Sequence, residues 1–214
     1  MRIRLCAIVV AVLALGGCST VYYGAMEKLG VHKREILADR VQAARDTQDG
    51  AKKQFLSALE QFKSVVSFSG GDLEAAYSRL NATLKKSEAE SAAVRDRIRA
   101  VEDVSEALFA EWREEITQYS SDSLRRASQR KYDATKAKCV ELIRAMRKAE
   151  ARLEPVLVPL RDQVLFLKHN LNAKAIAGLH AELGGVEASV DSLVRDMDAA
   201  IAQADTFIAA LRQE

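Results

Sequence analysis

The chain has 214 residues, 49% of them hydrophobic, 29% charged and 6% aromatic, which is enough apolar material for a packed core and excludes a generically disordered chain. The formal charge of +2 comes from 32 basic and 30 acidic side chains, and Arg2 and Arg4 supply the whole excess. From residue 18 onward the chain is electrically balanced, so composition gives no case for nucleic-acid binding. Ten glycines, only two prolines and few aromatics predict long helices, an all-α chain without a sheet.

The N-terminus reads as an export signal. Arg2 and Arg4 precede an apolar run from Leu5 to Leu15, and Gly16 and Gly17 follow directly before Cys18. Eleven apolar residues make about 16 Å of helix, against about 30 Å for a bilayer core, so the run is a secretory segment and not a span. Leu15-Gly16-Gly17-Cys18 resembles the lipobox of bacterial lipoproteins. That resemblance implies cleavage before Cys18, acylation of Cys18, and anchoring through two or more acyl chains. Ser19 stands where inner-membrane lipoproteins of enteric bacteria usually have Asp, which favours the periplasmic face of the outer membrane, with the inner membrane as the alternative. The expected organisation is a signal peptide over 1–17, a lipidated tether over 18–23 and a helical domain over 24–214. Cys6 is lost with the signal and Cys18 is consumed, so Cys139 is the one free thiol and no intramolecular disulfide is expected.

The body predicts four helices, over about 24–67, 72–119, 123–170 and 173–212. Ser69-Gly70-Gly71-Asp72 marks the first break, with Asp72 as a candidate N-cap. Tyr119 to Ser123 marks the second, and His169-Asn170-Leu171-Asn172 the third, with Asn172 as a candidate cap. In the first helix, Leu37, Val41, Ala44, Gln48, Ala51, Phe55, Ala58, Phe62 and Val65 alternate steps of four and three. The second helix repeats the pattern from Leu73 to Trp112, with Ser87, Ser91 and Ser105 as polar members. This is a coiled-coil seam with a 3.5-residue repeat. An antiparallel hairpin pivoting near residues 69–70 sets Phe55 against Leu84 and Gln48 against Ser91, so polar interruptions meet.

The third seam runs from Tyr132 through Cys139 and Leu153 to Leu160, then shifts by one residue to Val164 and Leu167. Pro155 and Pro159 lie at that shift, where a missing donor and a ring against the preceding turn predict a kink or short interruption. The fourth seam runs from Ile176 to Leu211, with Gly184-Gly185 as a soft point. Similar lengths and short turns predict an elongated antiparallel coiled coil, either one up-down-up-down four-helix bundle or two stacked hairpins.

Stretches such as YYGAMEKLGVHKREIL, GGDLEAAYSRLN, ALFAEWREEITQY and RDQVLFLKHNLNAKAI resemble the bacterial helical family catalogued as domain of unknown function 2959. The resemblance implies an all-helical, often lipid-anchored envelope protein and supplies no catalytic residue.

The search for chemistry returns little. His32, His169 and His180 are far apart, and His169 and His180 would lie about 16 Å apart on a continuous helix, too far to share one metal. No phosphate-binding loop, nucleophile elbow or metal motif is present, so no cofactor is expected. Cys139 reads as a buried thiol acting as a small hydrophobe. Trp112 reads as core. The segment Arg161–Asn172 mixes apolar and amide side chains beside the prolines, and Phe166, Lys168, His169, Asn170 and Asn172 are the candidate partner-contact residues. The expectation is a lipid-anchored, non-enzymatic scaffold or adaptor that meets a protein partner, or itself, through its helices. A ligand carrier or periplasmic chaperone is the alternative.

Overall fold

The computed structural model describes residues 32–68, 72–170 and 173–213. The predicted signal, Cys18, the tether and the expected helical start over 24–31 lie outside the described residues. Five helices follow one another: α1 (Lys33–Val66), α2 (Leu73–Gln118), α3 (Asp122–Glu150), α4 (Leu153–His169) and α5 (Ala173–Gln213). No strand occurs among the described residues. The longest helix, α2, has 46 residues, about 70 Å of axis.

The helix ends follow from local chemistry. Asp72 Oδ1 accepts the Ala75 backbone N–H at 3.0 Å, the cap that the sequence predicts. Ser121 Oγ accepts from the Leu124 N–H at 3.5 Å and opens α3. The predicted third helix is two helices. Ala151 and Arg152 form a turn between α3 and α4, with the Ala151 N–H on the Arg147 carbonyl at 3.0 Å and the Arg152 N–H on the Ala149 carbonyl at 3.1 Å. Pro155 explains the position of the break. It has no N–H to give the Ala151 carbonyl, and in an unbroken helix its ring would press on that group. Pro159 stays inside α4. The expected soft point at Gly184-Gly185 does not interrupt α5, which runs through both residues.

The four corners of the bundle are α1, α2, α3 continued by α4, and α5. α2 packs on α1 and on α3 and α4, and α5 closes the square against α1, α3 and α4. This is the up-down-up-down bundle, in which each helix runs against its sequence neighbour. All nine seam positions predicted in α1 are buried. So are the predicted positions from Tyr132 to Leu167 on α3 and α4. A large apolar side chain such as Phe55, Phe62 or Leu157 contributes about 1.5–3 kcal/mol on full burial. At the outer ends the seam loosens, and Leu73, Tyr77 and Trp112 are only half-buried.

The register of the first hairpin is recorded by Gln54, whose Nε2 donates to the Thr83 carbonyl and to Ser87 Oγ, both at 3.3 Å. That is the register expected from the pivot. The polar layer is less tidy than expected. Gln48 and Ser91 are both buried, but Gln48 Nε2 and Oε1 and Ser91 Oγ have no hydrogen-bond partner.

Two ladders of ion pairs run along the rod. Between α2 and the α3–α4 corner, Glu102 meets Arg147 (Nε to Oε1, 2.8 Å), Arg95 meets Glu154 at 3.4 Å and Glu88 meets Arg161 at 2.6 Å. Each step is seven residues down α2 and seven up the opposite corner, so the heptad register carries unchanged through the break at Ala151–Arg152. Between α1 and α5, Arg45 meets Asp205 at 3.0 Å, Lys52 meets Asp198 at 2.8 Å and Lys63 meets Glu187 at 3.0 Å. Here steps of seven and eleven on α1 match steps of seven and eleven on α5.

Candidate interaction surface

The seam residues fill the centre of the bundle, so the apolar residues that the seam does not use are the ones left at the surface. Helix α4 carries three of them. Leu165 is 60% exposed, and Phe166 and Val158 are each 45% exposed. Val158 and Leu165 are seven residues apart and share one face, away from Leu157, Leu160, Val164 and Leu167, which are buried in the core. The α4 C-terminus lies at the end of the rod shared with the α1–α2 turn, opposite the end where α1 begins at Lys33.

Of the candidate contact residues, Phe166, Lys168 and His169 are exposed, and the two basic side chains occupy the last turn of α4. Asn170 is half-buried and serves the helix end: its Nδ2 donates to the Phe166 carbonyl at 3.0 Å and its N–H to the Leu167 carbonyl at 3.1 Å. That occupies carbonyls which the helix terminus leaves without partners. Asn172 lies outside the described residues. Sequence reasoning missed Val158 and named Leu165 only as part of the segment Arg161–Asn172. The signal was available, because both are large apolar residues that fall off the seam on an otherwise polar face.

The remaining candidates are dispersed over the described residues. Cys139 is buried, and burial pushes its thiol up to about 11, against the opposing effect of a hydrogen bond with Ser105. It is a protonated, shielded thiol at neutral pH. His32 precedes α1 without a side-chain cap, and His32, His169 and His180 are all exposed. Among the described residues no group of three or more His, Cys, Asp or Glu side chains could hold a metal ion. Trp112 is more than core. Its Nε1 donates to Ser128 Oγ at 3.0 Å, and its ring packs with Phe109 and edge-on to Tyr132. This cluster ties α2 to α3 near their turn. Tyr132 Oη also accepts from Arg113 at 3.4 Å and Lys136 at 3.1 Å.

Two of the clefts are grooves between neighbouring helices. One of about 390 Å³ is lined by Arg34, Glu35, Ala38, Asp39, Leu211 and Arg212. Another, of about 380 Å³, has Lys138, Glu141, Gln203 and Thr206 around Leu142 and Phe207. Their rims are polar or charged, and neither reaches the proline-bearing helix. No described helix is long and apolar enough to cross a membrane.

Residues 22–211 match the family described as Protein of unknown function (DUF2959). The chain belongs to that family. The match covers all five helices apart from the last two residues of α5. No curated protein matches the chain.

Proposed function

We infer that this member of the DUF2959 family is a lipid-anchored cell-envelope protein that works without catalysis, as a scaffold or adaptor holding a helical docking face away from its membrane. The observation that carries the reading is the exposed Leu165–Phe166 pair, with Val158 on the same helix, at the end of the rod opposite Lys33. An apolar face kept exposed there costs solubility unless a partner covers it. The tether half of the reading rests on the Leu15-Gly16-Gly17-Cys18 sequence behind an apolar segment, and Ser19 after it favours the periplasmic face of the outer membrane over the inner membrane.

A photo-crosslinking residue at position 165 or 166, used in growing cells and followed by mass spectrometry, tests the adaptor half. Adducts with one protein, or with a second copy of this chain, are expected from these positions and not from the exposed Lys53 face of α1. Equal or absent adducts at all positions would remove the reading. Mass spectrometry of the purified chain tests the tether, with acyl mass expected on Cys18.

The carrier reading has less support. It needs an apolar hollow near the prolines, and Leu153, Val156, Leu157 and Leu160 there are packed to 1% exposure or less.

A further inference from the structure

Two polar layers cross the α1–α2 seam, and they differ in how their hydrogen bonds are met. In the first, Gln54 Nε2 donates to the Thr83 carbonyl and to Ser87 Oγ, both at 3.3 Å. Ser87 Oγ in turn donates along its own helix to the Thr83 carbonyl at 3.0 Å. The donors of this layer end on protein atoms. The second layer keeps the same register, with Gln48 six residues earlier on α1 and Ser91 four residues beyond Ser87 on α2. Both side chains are sealed from solvent, at 0% and 1% exposure. Here Gln48 Nε2, Gln48 Oε1 and Ser91 Oγ have no partner, so Ser91 does not bond along its helix as Ser87 does.

Three unmet polar atoms in one sealed layer are costly, because each has given up hydration without gaining a bond. Joining Gln48 directly to Ser91 does not meet them all. The hydroxyl can donate to Oε1 or accept from Nε2, and a single contact leaves one end of the amide bare. A small group that both donates and accepts completes the set.

The side chains at this level are also small. The seam neighbours of Gln48 on α1 are Ala44 and Ala51, buried to 1% exposure or less. The pairs Arg45–Asp205 and Lys52–Asp198 set α5 against this stretch. Between Asp198 and Asp205, the fully buried positions of α5 are Ala200 and Ala204. Four alanines and a serine thus share the level of one long amide side chain. A buried polar site with small walls takes water, whereas a purely apolar hollow stays dry.

We infer that the Gln48–Ser91 layer is an internal hydration site. One water accepts from Gln48 Nε2 and donates to Ser91 Oγ, and the serine hydroxyl donates to Gln48 Oε1. That ring meets all three atoms. Enclosed by the seam, the water leaves only when the helices part, so it stays bound far longer than surface water.

The test uses the purified full chain, labelled with a heavy nitrogen isotope. Cross-relaxation between water and the Gln48 side-chain amide protons is read in the rotating frame, where bound water and proton exchange give opposite signs. A bound-water signal is expected at Gln48. Magnetic relaxation dispersion of the solvent then counts long-lived waters. Its amplitude should drop by at least one water in Gln48→Leu/Ser91→Ala, and stay at the unaltered level in Gln54→Leu/Ser87→Ala. No bound-water signal at Gln48, or equal amplitudes in the unaltered chain and a folded Gln48→Leu/Ser91→Ala, would overturn the site; a direct Gln48–Ser91 bond gives those results. If that variant shows no cooperative melting of its helices, the Gln48 signal of the unaltered chain decides alone.

Discussion

Along the α2 side of the bundle the charges alternate, whereas along the α1–α5 side they are segregated. Glu102, Arg95 and Glu88 on α2 face Arg147, Glu154 and Arg161. On α1 the partners are all basic, Arg45, Lys52 and Lys63, and on α5 all acidic, Asp205, Asp198 and Glu187. A slip of one heptad on the first side would set Arg95 against Arg147 or Arg161, while on the second it would leave opposite charges together. The alternating ladder selects register and the segregated ladder selects which helix pairs with which. The helix that needs its register fixed is the one broken at Ala151–Arg152. There, hydrogen bonding along the helix no longer transmits the register from α3 to α4.

The largest expected effect tests whether the ladder or the core carries the broken corner. Leu153 opens α4 and is fully buried, so Leu153→Ala should cost about 2–5 kcal/mol, read as a lowered denaturation midpoint. A loss below 1 kcal/mol would mean that the break is already slack. Next, Arg95→Glu places a third carboxylate beside Glu150 and Glu154 and should cost about 1 kcal/mol at low salt, shrinking as salt is added. The double variant Arg95→Glu/Glu154→Arg should recover most of that loss in a thermodynamic cycle, whereas two additive penalties would show that the ladder does not specify register.

Acid should weaken the same corner. Arg161, and then Arg95, hold the Glu154 carboxyl below its usual range, and Lys148 and Arg152 do the same for Asp196 between the α3–α4 corner and α5. Both groups bind protons more readily in the unfolded chain, so their contribution is present above the ordinary carboxylate pKa values and is lost as pH falls through the lower folded ones. Glu154→Gln should flatten the fall in melting temperature below about pH 4.5. On the segregated side, Lys52→Glu meets Asp198 and Asp49 but leaves register intact, and we expect a loss of about 0.5 kcal/mol with no gain in alternative species. The smallest change is a gain. A Cβ at Gly185 would meet nothing within 4 Å, and Gly185→Ala should stabilise α5 by about 0.5–1 kcal/mol.

The seams were legible because a 3.5-residue repeat sustained over several heptads says which residues face inward, whatever the neighbour is. Leu37 to Val65 could be read from spacing alone, and Asp72 from its place before a helix. The α4 face was half legible: Phe166, Lys168 and His169 were marked, but Asn170 turned out to be engaged at the helix end. Val158 was passed over and Leu165 was covered only by the segment Arg161–Asn172, because attention to the seam hides apolar residues that lie off it. The ion-pair ladders were not legible. Any of the many charged residues on α2 has several possible partners until the bundle decides which corners adjoin.

What the sequence determined by itself is the all-helical body, the seam of each helix, the antiparallel first hairpin and the place where Pro155 must trouble the third helix. Each follows from interactions within a helix or across one short turn, where spacing along the chain fixes geometry. Only the tertiary structure decided between stacked hairpins and a closed square, put α5 against α1, and kept the heptad register through the broken corner. It also separated two exposed apolar pairs, Tyr119 and Leu124 at one end and Leu165 and Phe166 at the other. Those outcomes depend on contacts between residues far apart in the chain, which form only when all four corners have packed.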